Sequence, residues 1–277
     1  MTWKVSRANE LYFDAIATTY DRDPAQKYGA FHENSRQRYR EFLRKNISRI
    51  RPGKVVNLGC GTGNMMDVEA EFELDSVGID ISSKILEQAR RVTPRLIRGD
   101  FYRLPFPDAS ISLASGFLLL HHVYDHYLFF REVCRILKPG GLFFSDYDPN
   151  FYPSSFTKEH WPLRNLWGLR RMISYRIMKV GTEIDLETAR LADYYSETIP
   201  GLKEGEIASA LQRAGFERIQ TIVHSDGKSF RNPRQGRWVQ KTFEAILWTL
   251  GEKEYRKRAK NLAVIAQKPG LEQSWSL

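Results

Sequence analysis

Three glycines at alternate positions, Gly59, Gly61 and Gly63, follow directly on the apolar run Val55-Val56-Asn57-Leu58. Such a run reads as a central strand, and the glycines let the backbone turn sharply and approach a ligand with no Cβ in the way. Val77-Gly78-Ile79-Asp80 reads as a second strand ending in a carboxylate. It lies roughly 20 residues beyond the first glycine, the spacing at which an acidic side chain accepts hydrogen bonds from both hydroxyls of a ribose. A third strand ends at Arg98-Gly99-Asp100-Phe101, again a carboxylate, here beside an aromatic ring. After a fourth strand, Leu118-Leu119-Leu120-His121-His122 sets two imidazoles side by side. These residue types suit recognition of a nucleoside, with groups able to move a proton close by.

The loop chemistry narrows the nucleoside. A dinucleotide fingerprint wants a third glycine where Asn64 stands, and a phosphate-binding P-loop wants a lysine soon after its glycines, which is missing near Gly63. The loop therefore suits an adenosine ligand without a polyphosphate, a description that S-adenosylmethionine meets.

The elements that must position these groups alternate. Residues 10–22 and 31–50 read as helices, with Leu11, Ala15 and Ile16 on one face of the first and Phe42, Leu43 and Ile47 on one face of the second. Strands are expected near 54–58, 75–80, 95–99, 110–115 and 141–146, with helices between them. The helix through Phe130–Leu137 meets a stop at Pro139-Gly140-Gly141. Glu206 to Ala214 reads as a helix stopped by Gly215, and Glu217 to Val223 and Leu262 to Gln267 as two further strands. This order implies an α/β fold with a doubly wound, mostly parallel sheet. Ligands of such sheets bind beyond the carboxyl ends of the strands, where the glycine loop, Asp80, Asp100 and the 116–122 loop all fall. The expected organisation is N-terminal helices over the site (1–50), a nucleotide-binding core (51–148), an insert (149–202) and a return to the sheet (203–277) with a basic excursion at 225–260.

Taken in order, these motifs resemble the class I S-adenosylmethionine-dependent methyltransferases, in the branch that holds the ubiquinone and menaquinone biosynthesis enzymes. The resemblance covers residues 10–148 and, more loosely, 203–223 with 261–267. It implies a seven-stranded sheet of order 3-2-1-4-5-7-6 with the last strand antiparallel, and a site for S-adenosylmethionine, leaving S-adenosylhomocysteine as product. It further implies that Gly59, Cys60, Gly61, Gly63 and Asn64 pack on the methionine part and ribose, that Asp80 with Ile81 holds the ribose diol, and that Asp100 and Phe101 take the adenine. Gly116, Phe117 and His122 would line the pocket, and Tyr20 would close over it. Asn57 departs from the family, which usually carries Asp or Glu there to offset the positive charge of the methionine moiety. An amide donates and accepts hydrogen bonds but brings no countercharge, which implies weaker cofactor binding or, at the extreme, a cofactor-binding protein without transfer activity.

Methyl transfer needs alignment and, for a hydroxyl acceptor, a base. His121, His122, Asp146, Tyr147 and His160 are the candidates. The adjacent histidines also raise a metal, which is set aside because no third ligand stands at metal-site spacing. Acceptor choice falls to the insert, where His160, Trp161, Arg164, Tyr194 and Tyr195 are the candidate contacts. From His160 to Gly181 that insert carries five basic residues and no acidic one, with Leu166, Leu169, Ile173, Ile177 and Val180 at helical spacing. An amphipathic basic helix of this kind suits a lid, a grip on an anionic acceptor, or a surface for lipid-linked substrates.

Composition bounds the rest. The chain has 277 residues and a formal net charge of +9. No apolar run approaches the about 20 residues of a membrane span, and nothing at Met1-Thr2-Trp3-Lys4 resembles a secretory signal. Two cysteines, Cys60 and Cys134, make neither a disulfide framework nor a metal cluster, so a reducing cytoplasm is expected. The basic surplus keeps an RNA methyltransferase open, although no RNA-binding module is recognisable. The sequence reading favours a small organic acceptor methylated at oxygen or carbon. RNA, lipid-linked acceptors, cofactor binding without transfer and, last, a dinucleotide oxidoreductase remain as alternatives.

Overall fold

The computed structural model describes residues 1–18, 20, 30–151, 184–195, 201–224 and 261–270. Helix α1 (Thr2–Ile16) buries Val5, Ala8, Asn9 and Ile16, and α2 (Ala30–Ile50) follows. The core then alternates: β1 (Lys54–Leu58), α3 (Met66–Glu71), β2 (Ser76–Asp80), α4 (Ser83–Ala89), β3 (Leu96–Arg98) and β4 (Ile111–Phe117). A 3-10 turn (Leu120–His122) leads into α5 (His126–Ile136) and β5 (Leu137–Pro149). Helices α6 (Leu186–Ala192) and α7 (Glu204–Arg213) precede β6 (Glu217–His224) and β7 (Asn261–Gln267).

The strands form one sheet in the order β3-β2-β1-β4-β5-β7-β6, as the resemblance implies. β1, β2, β3, β4 and β5 pair in parallel. β7 runs antiparallel to both β5 and β6. Burial explains the parallel centre: β4 is buried along Ile111–Gly116, and β1 from Val55 on, so both faces of these strands must be apolar. On one face, Val56, Leu58, Ala114, Phe129, Phe130, Val133 and Phe143 pack together with α7 residues Ile207 and Leu211. On the other, Tyr39, Phe42 and Leu43 of α2 pack on Val55, Leu113 and Phe144. Local caps fix the helix starts: Asp125 accepts from Leu128 N at 3.0 Å to begin α5, and Ser82 accepts from Ile85 N at 3.1 Å to begin α4.

Two expectations need correction. The first helix begins at Thr2 and ends at Ile16, not 10–22, because Val5 and Ala8 extend the apolar face toward the N-terminus; Tyr20 therefore follows the helix. The strand expected at 141–146 begins at Leu137, directly after α5, and runs to Pro149. Leu137 pairs with Ile111 and Leu142 with Leu113, so Pro139-Gly140-Gly141 makes an irregularity within the strand, with Gly140 at φ +75°.

Among the described residues no helix is long and apolar enough to cross a membrane. The basic helix expected around 160–181 and the excursion at 225–260 lie outside the described residues.

Candidate active site

The glycine loop leaves β1 at the carboxyl edge of the sheet. Gly59 has φ +62°, and a Cβ on it would stand 3.1 Å from Leu119 Cδ1 and 3.4 Å from Phe101 Cζ. Glycine is needed there both for the left-handed backbone and for the close approach. Cys60 is buried, and its amide donates to Ile79 O at 3.0 Å, tying the loop to β2. Gly61 and Gly63 are also left-handed, and the Asn64 side chain donates to Thr62 Oγ1 at 3.0 Å.

Asp80 ends β2 with its carboxylate buried beneath this loop. Its Oδ2 accepts from Gly61 N at 3.1 Å and its Oδ1 from Ser82 N at 2.9 Å. A carboxylate has about four lone-pair sites, so acceptor capacity remains for a diol. Burial pushes the Asp80 carboxyl up to about 6, the amides of Ser82, Gly61 and Ile81 oppose the shift, and nearby Asp14 adds to it. Asp14 itself accepts from Ser82 Oγ at 2.6 Å, which ties α1 to the β2–α4 turn. Tyr20 lies over the loop, its hydroxyl 3.6 Å from where a Gly61 Cβ would be. At the end of β3, Asp100 accepts from Tyr102 N at 3.0 Å, and the half-buried Phe101 ring meets Phe129 edge-on with centroids 6.0 Å apart. Ile81 follows Asp80, and its carbonyl accepts from Arg98 Nε at 3.2 Å. Gly116 admits Leu119, whose Cδ2 would lie 2.4 Å from an added Cβ. Phe117 turns to the other layer, where its ring meets Tyr39 at 5.0 Å.

Asn57 is buried and does not stand alone. Its amide donates to Glu69 Oε1 at 3.1 Å, and the same oxygen accepts from Tyr39 Oη at 2.7 Å and Ser115 Oγ at 2.9 Å. The carboxylate absent from position 57 is thus supplied by Glu69 of α3, fully buried directly beside it. Burial raises the Glu69 pKa, and the side chains of Tyr39, Asn57, Ser76 and Ser115 work against that rise. Sequence reading missed Glu69; an acidic residue within the apolar stripe Met66, Val68, Glu69 was the available signal.

The two histidines fall in the 3-10 turn after β4. His121 Nδ1 lies 2.8 Å from Asp148 Oδ1, and Asp148 Oδ2 accepts from Ser145 Oγ at 2.8 Å. A carboxylate only accepts, so His121 donates from Nδ1 and its Nε2 faces away, 3.8 Å from Asp193 Oδ1. His122 Nδ1 lies 2.6 Å from Ala192 O, so it too donates from Nδ1. Burial lowers the pKa of His121, but the hydrogen bond to Asp148 and the charges of Asp193 and Asp148 outweigh it and leave it raised. Burial, with the neighbouring His121 charge, holds His122 well below the usual imidazole range. The His122 ring meets Phe13 of α1 edge-on at 5.2 Å, and Phe13 meets Tyr20 at 6.1 Å. Aromatic contacts therefore join the histidines to the glycine loop.

Asp146 and Tyr147 belong to a separate set. Asp146 is fully buried, and Ser35 Oγ (2.8 Å), Arg38 Nε (2.9 Å), His224 Nε2 (2.8 Å) and Tyr147 N (2.7 Å) all donate to it. Both its oxygens are engaged, and Tyr147 is buried with φ +76°. The described end of the insert folds back on the histidine turn: Tyr194 meets Tyr124 at 5.0 Å, and Tyr195 meets His126 at 4.7 Å. His160, Trp161 and Arg164 lie outside the described residues. The partners Asp148 and Asp193 were not singled out from sequence, because only the fold brings them to the histidines.

Known proteins resemble this chain in sequence and fold. Residues 56–145 match the methyltransferase-domain family. A protein of Mycolicibacterium smegmatis named a probable S-adenosylmethionine-dependent methyltransferase is 32% identical over 118 residues, 42% of this chain and 46% of that protein. The chain thus spans about half the length of that relative. Demethylmenaquinone methyltransferase of Listeria monocytogenes is 28% identical over 232 residues, 78% of this chain and 90% of the enzyme. An S-adenosylmethionine-dependent methyltransferase structure from Mesorhizobium loti shares the fold with a TM-score of 0.51 at 23% identity, covering 82% of this chain and 96% of that one. With its glycine loop, buried Asp80 and sheet order, the chain carries the methyltransferase domain over residues 56–145 and shares the fold of solved S-adenosylmethionine-dependent methyltransferases.

Proposed function

We propose that this chain transfers a methyl group from S-adenosylmethionine to an oxygen or carbon nucleophile of a small organic acceptor. The observation that carries the reading is the glycine loop over Asp80, linked through Tyr20 and Phe13 to the buried His121–His122 turn. A nucleoside site and proton-handling groups thus share one edge of the sheet.

When bound, the cofactor supplies a methyl group already activated by a sulfonium. What remains for the chain is placement and proton control. Asp80 holds the ribose hydroxyls, Asp100 and Phe101 hold the adenine, and Gly59, Gly61 and Gly63 admit the cofactor close to the backbone. Glu69, behind Asn57, places a carboxylate under the loop. The His121–His122 turn stands on the acceptor side, covered by Ala192, Asp193, Tyr194 and Tyr195 of the insert. Alignment of this kind supplies on the order of 7–11 kcal/mol in well-oriented cases, and proton removal adds typically about 10²–10⁴-fold. The surplus of +9 favours an acceptor with an anionic group.

The test supplies methyl-labelled cofactor with a fractionated cell extract. Label is expected in the small-molecule fraction with the wild-type chain, and is expected to vanish with Asp80→Ala while the variant stays folded. Label found in RNA or protein alone would overturn the acceptor class.

A further inference from the structure

We infer that His121, His122 and Asp193 form a binding site for one divalent transition-metal ion of the zinc class. One ligand atom from each residue can be chosen so that all three lie within 4.8 Å of one another. His121 Nε2 and Asp193 Oδ1 are already 3.8 Å apart. Metal–ligand bonds of 2.0–2.2 Å in tetrahedral geometry set two ligand atoms about 3.4 Å apart, so side-chain adjustments of up to about 1 Å close the set.

Hydrogen bonding points the same way. A metal-binding histidine donates its other ring N–H to a carboxylate or a backbone carbonyl, which fixes tautomer and ring orientation. Both histidines do this here, His121 to Asp148 at 2.8 Å and His122 to Ala192 O at 2.6 Å. Each is left with an Nε2 lone pair, and the two ring centroids are 4.0 Å apart. Asp193 completes the set: its Oδ1 is buried without a hydrogen-bond partner, and 3.8 Å is too far for His121 Nε2 to supply one. A buried carboxylate oxygen facing an imidazole nitrogen is unfavourable unless a proton or a metal cation stands between them, and at 3.8 Å the gap is long for a proton alone and near the spacing of two ligands on one ion. Two imidazoles and one carboxylate suit zinc, iron(II), cobalt(II) or nickel(II) better than magnesium or calcium, which prefer all-oxygen sets.

The objection from sequence, that no third ligand stands at metal-site spacing, fails because α6 carries Asp193 back to the turn. Binding of the ion stands on these contacts alone. Its use in catalysis rests on the proposed methyl transfer, where its Lewis acidity would favour the ionised form of an oxygen acceptor.

The experiment titrates zinc and cobalt(II) into tag-free, chelator-treated protein by calorimetry, with the cobalt visible spectrum read in parallel. One ion per chain is expected at micromolar affinity or tighter. Asp193→Asn and His122→Gln should each weaken it at least tenfold, and Asp148→Asn, which removes only the charge behind His121, about 10–100-fold. S-adenosylhomocysteine titrated into wild type, Asp193→Asn and Asp148→Asn reports the cofactor site separately. Zinc binding with no cofactor binding would sink the methyl-transfer reading and leave the metal site standing. Absence of zinc binding, or equal binding by wild type and all three variants, would overturn the metal site whatever the cofactor does.

Discussion

Asp80 shows how burial, and not residue type alone, sets the acidity of a carboxylate. Its carboxyl sits at about 6 because the loop excludes water and Asp14 stands nearby, while the amides of Ser82, Gly61 and Ile81 hold the ionised form. A diol is bound best by the carboxylate, so cofactor affinity should be full at neutral pH and halved near pH 6. Below that it should fall about tenfold per pH unit while the chain stays folded. The unliganded fold responds with the opposite sign. Because the folded carboxyl lies above the ordinary value of 3.8, this group costs stability increasingly as pH rises from about 4 to 6, and on the order of 3 kcal/mol above that. Calorimetric titration of S-adenosylhomocysteine at pH 5, 6 and 7.5 checks this: an affinity flat across that range would show that Asp80 is ionised throughout or is no ligand. Asp80 was legible from sequence because it ends a strand at the right spacing. Its pKa was not, since that depends on the loop above it and on Asp14 from α1.

Between elements, Glu69 braces four of them: α2 through Tyr39, β1 through Asn57, β4 through Ser115 and its own α3. Removing the carboxylate leaves Tyr39 Oη without its acceptor, and leaves Asn57 Nδ2 only Ser115 Oγ at 3.3 Å and Ser115 Oγ only Val56 O at 3.5 Å; losses of this kind cost about 1–3 kcal/mol each before relaxation. Glu69→Ala should therefore lose about 3 kcal/mol or more in urea unfolding, and Glu69→Gln, which keeps one acceptor oxygen, about half as much. Equal stability of all three proteins would dismiss the brace. Sequence reading saw Asn57 as a lost charge because pattern matching follows one position along the chain. The compensating carboxylate comes from the next helix, and only packing brings it within 3.1 Å. Likewise His121 and His122 were visible as a pair, but their anchors Asp148 and Ala192 come from β5 and α6. Strand positions were legible through apolar runs. The start of β5 was not, since Pro139-Gly140-Gly141 carries the usual stop signal while lying inside the strand.

At the scale of the molecule, the doubly wound order followed from alternating strands and helices, and the reversed β7 followed from the family likeness. The N-terminal helix was placed too late because its apolar face starts at Val5, within a polar stretch of weak periodicity. The candidate site residues converge on the carboxyl edge: the loop after β1, Asp80 at the end of β2, Asp100 after β3, the histidine turn after β4 and Asp148 near the end of β5. That convergence is the central claim, and binding of the demethylated cofactor tests it most directly. S-adenosylhomocysteine titrated calorimetrically into wild type and Asp80→Ala at pH 7.5, with NAD as control, should bind the wild type at micromolar affinity with one site per chain. It should bind the variant at least about 100-fold more weakly, the loss of a charged hydrogen-bond acceptor to two hydroxyls, and NAD should bind neither. Tight binding that survives Asp80→Ala, or a preference for NAD, would contradict the account.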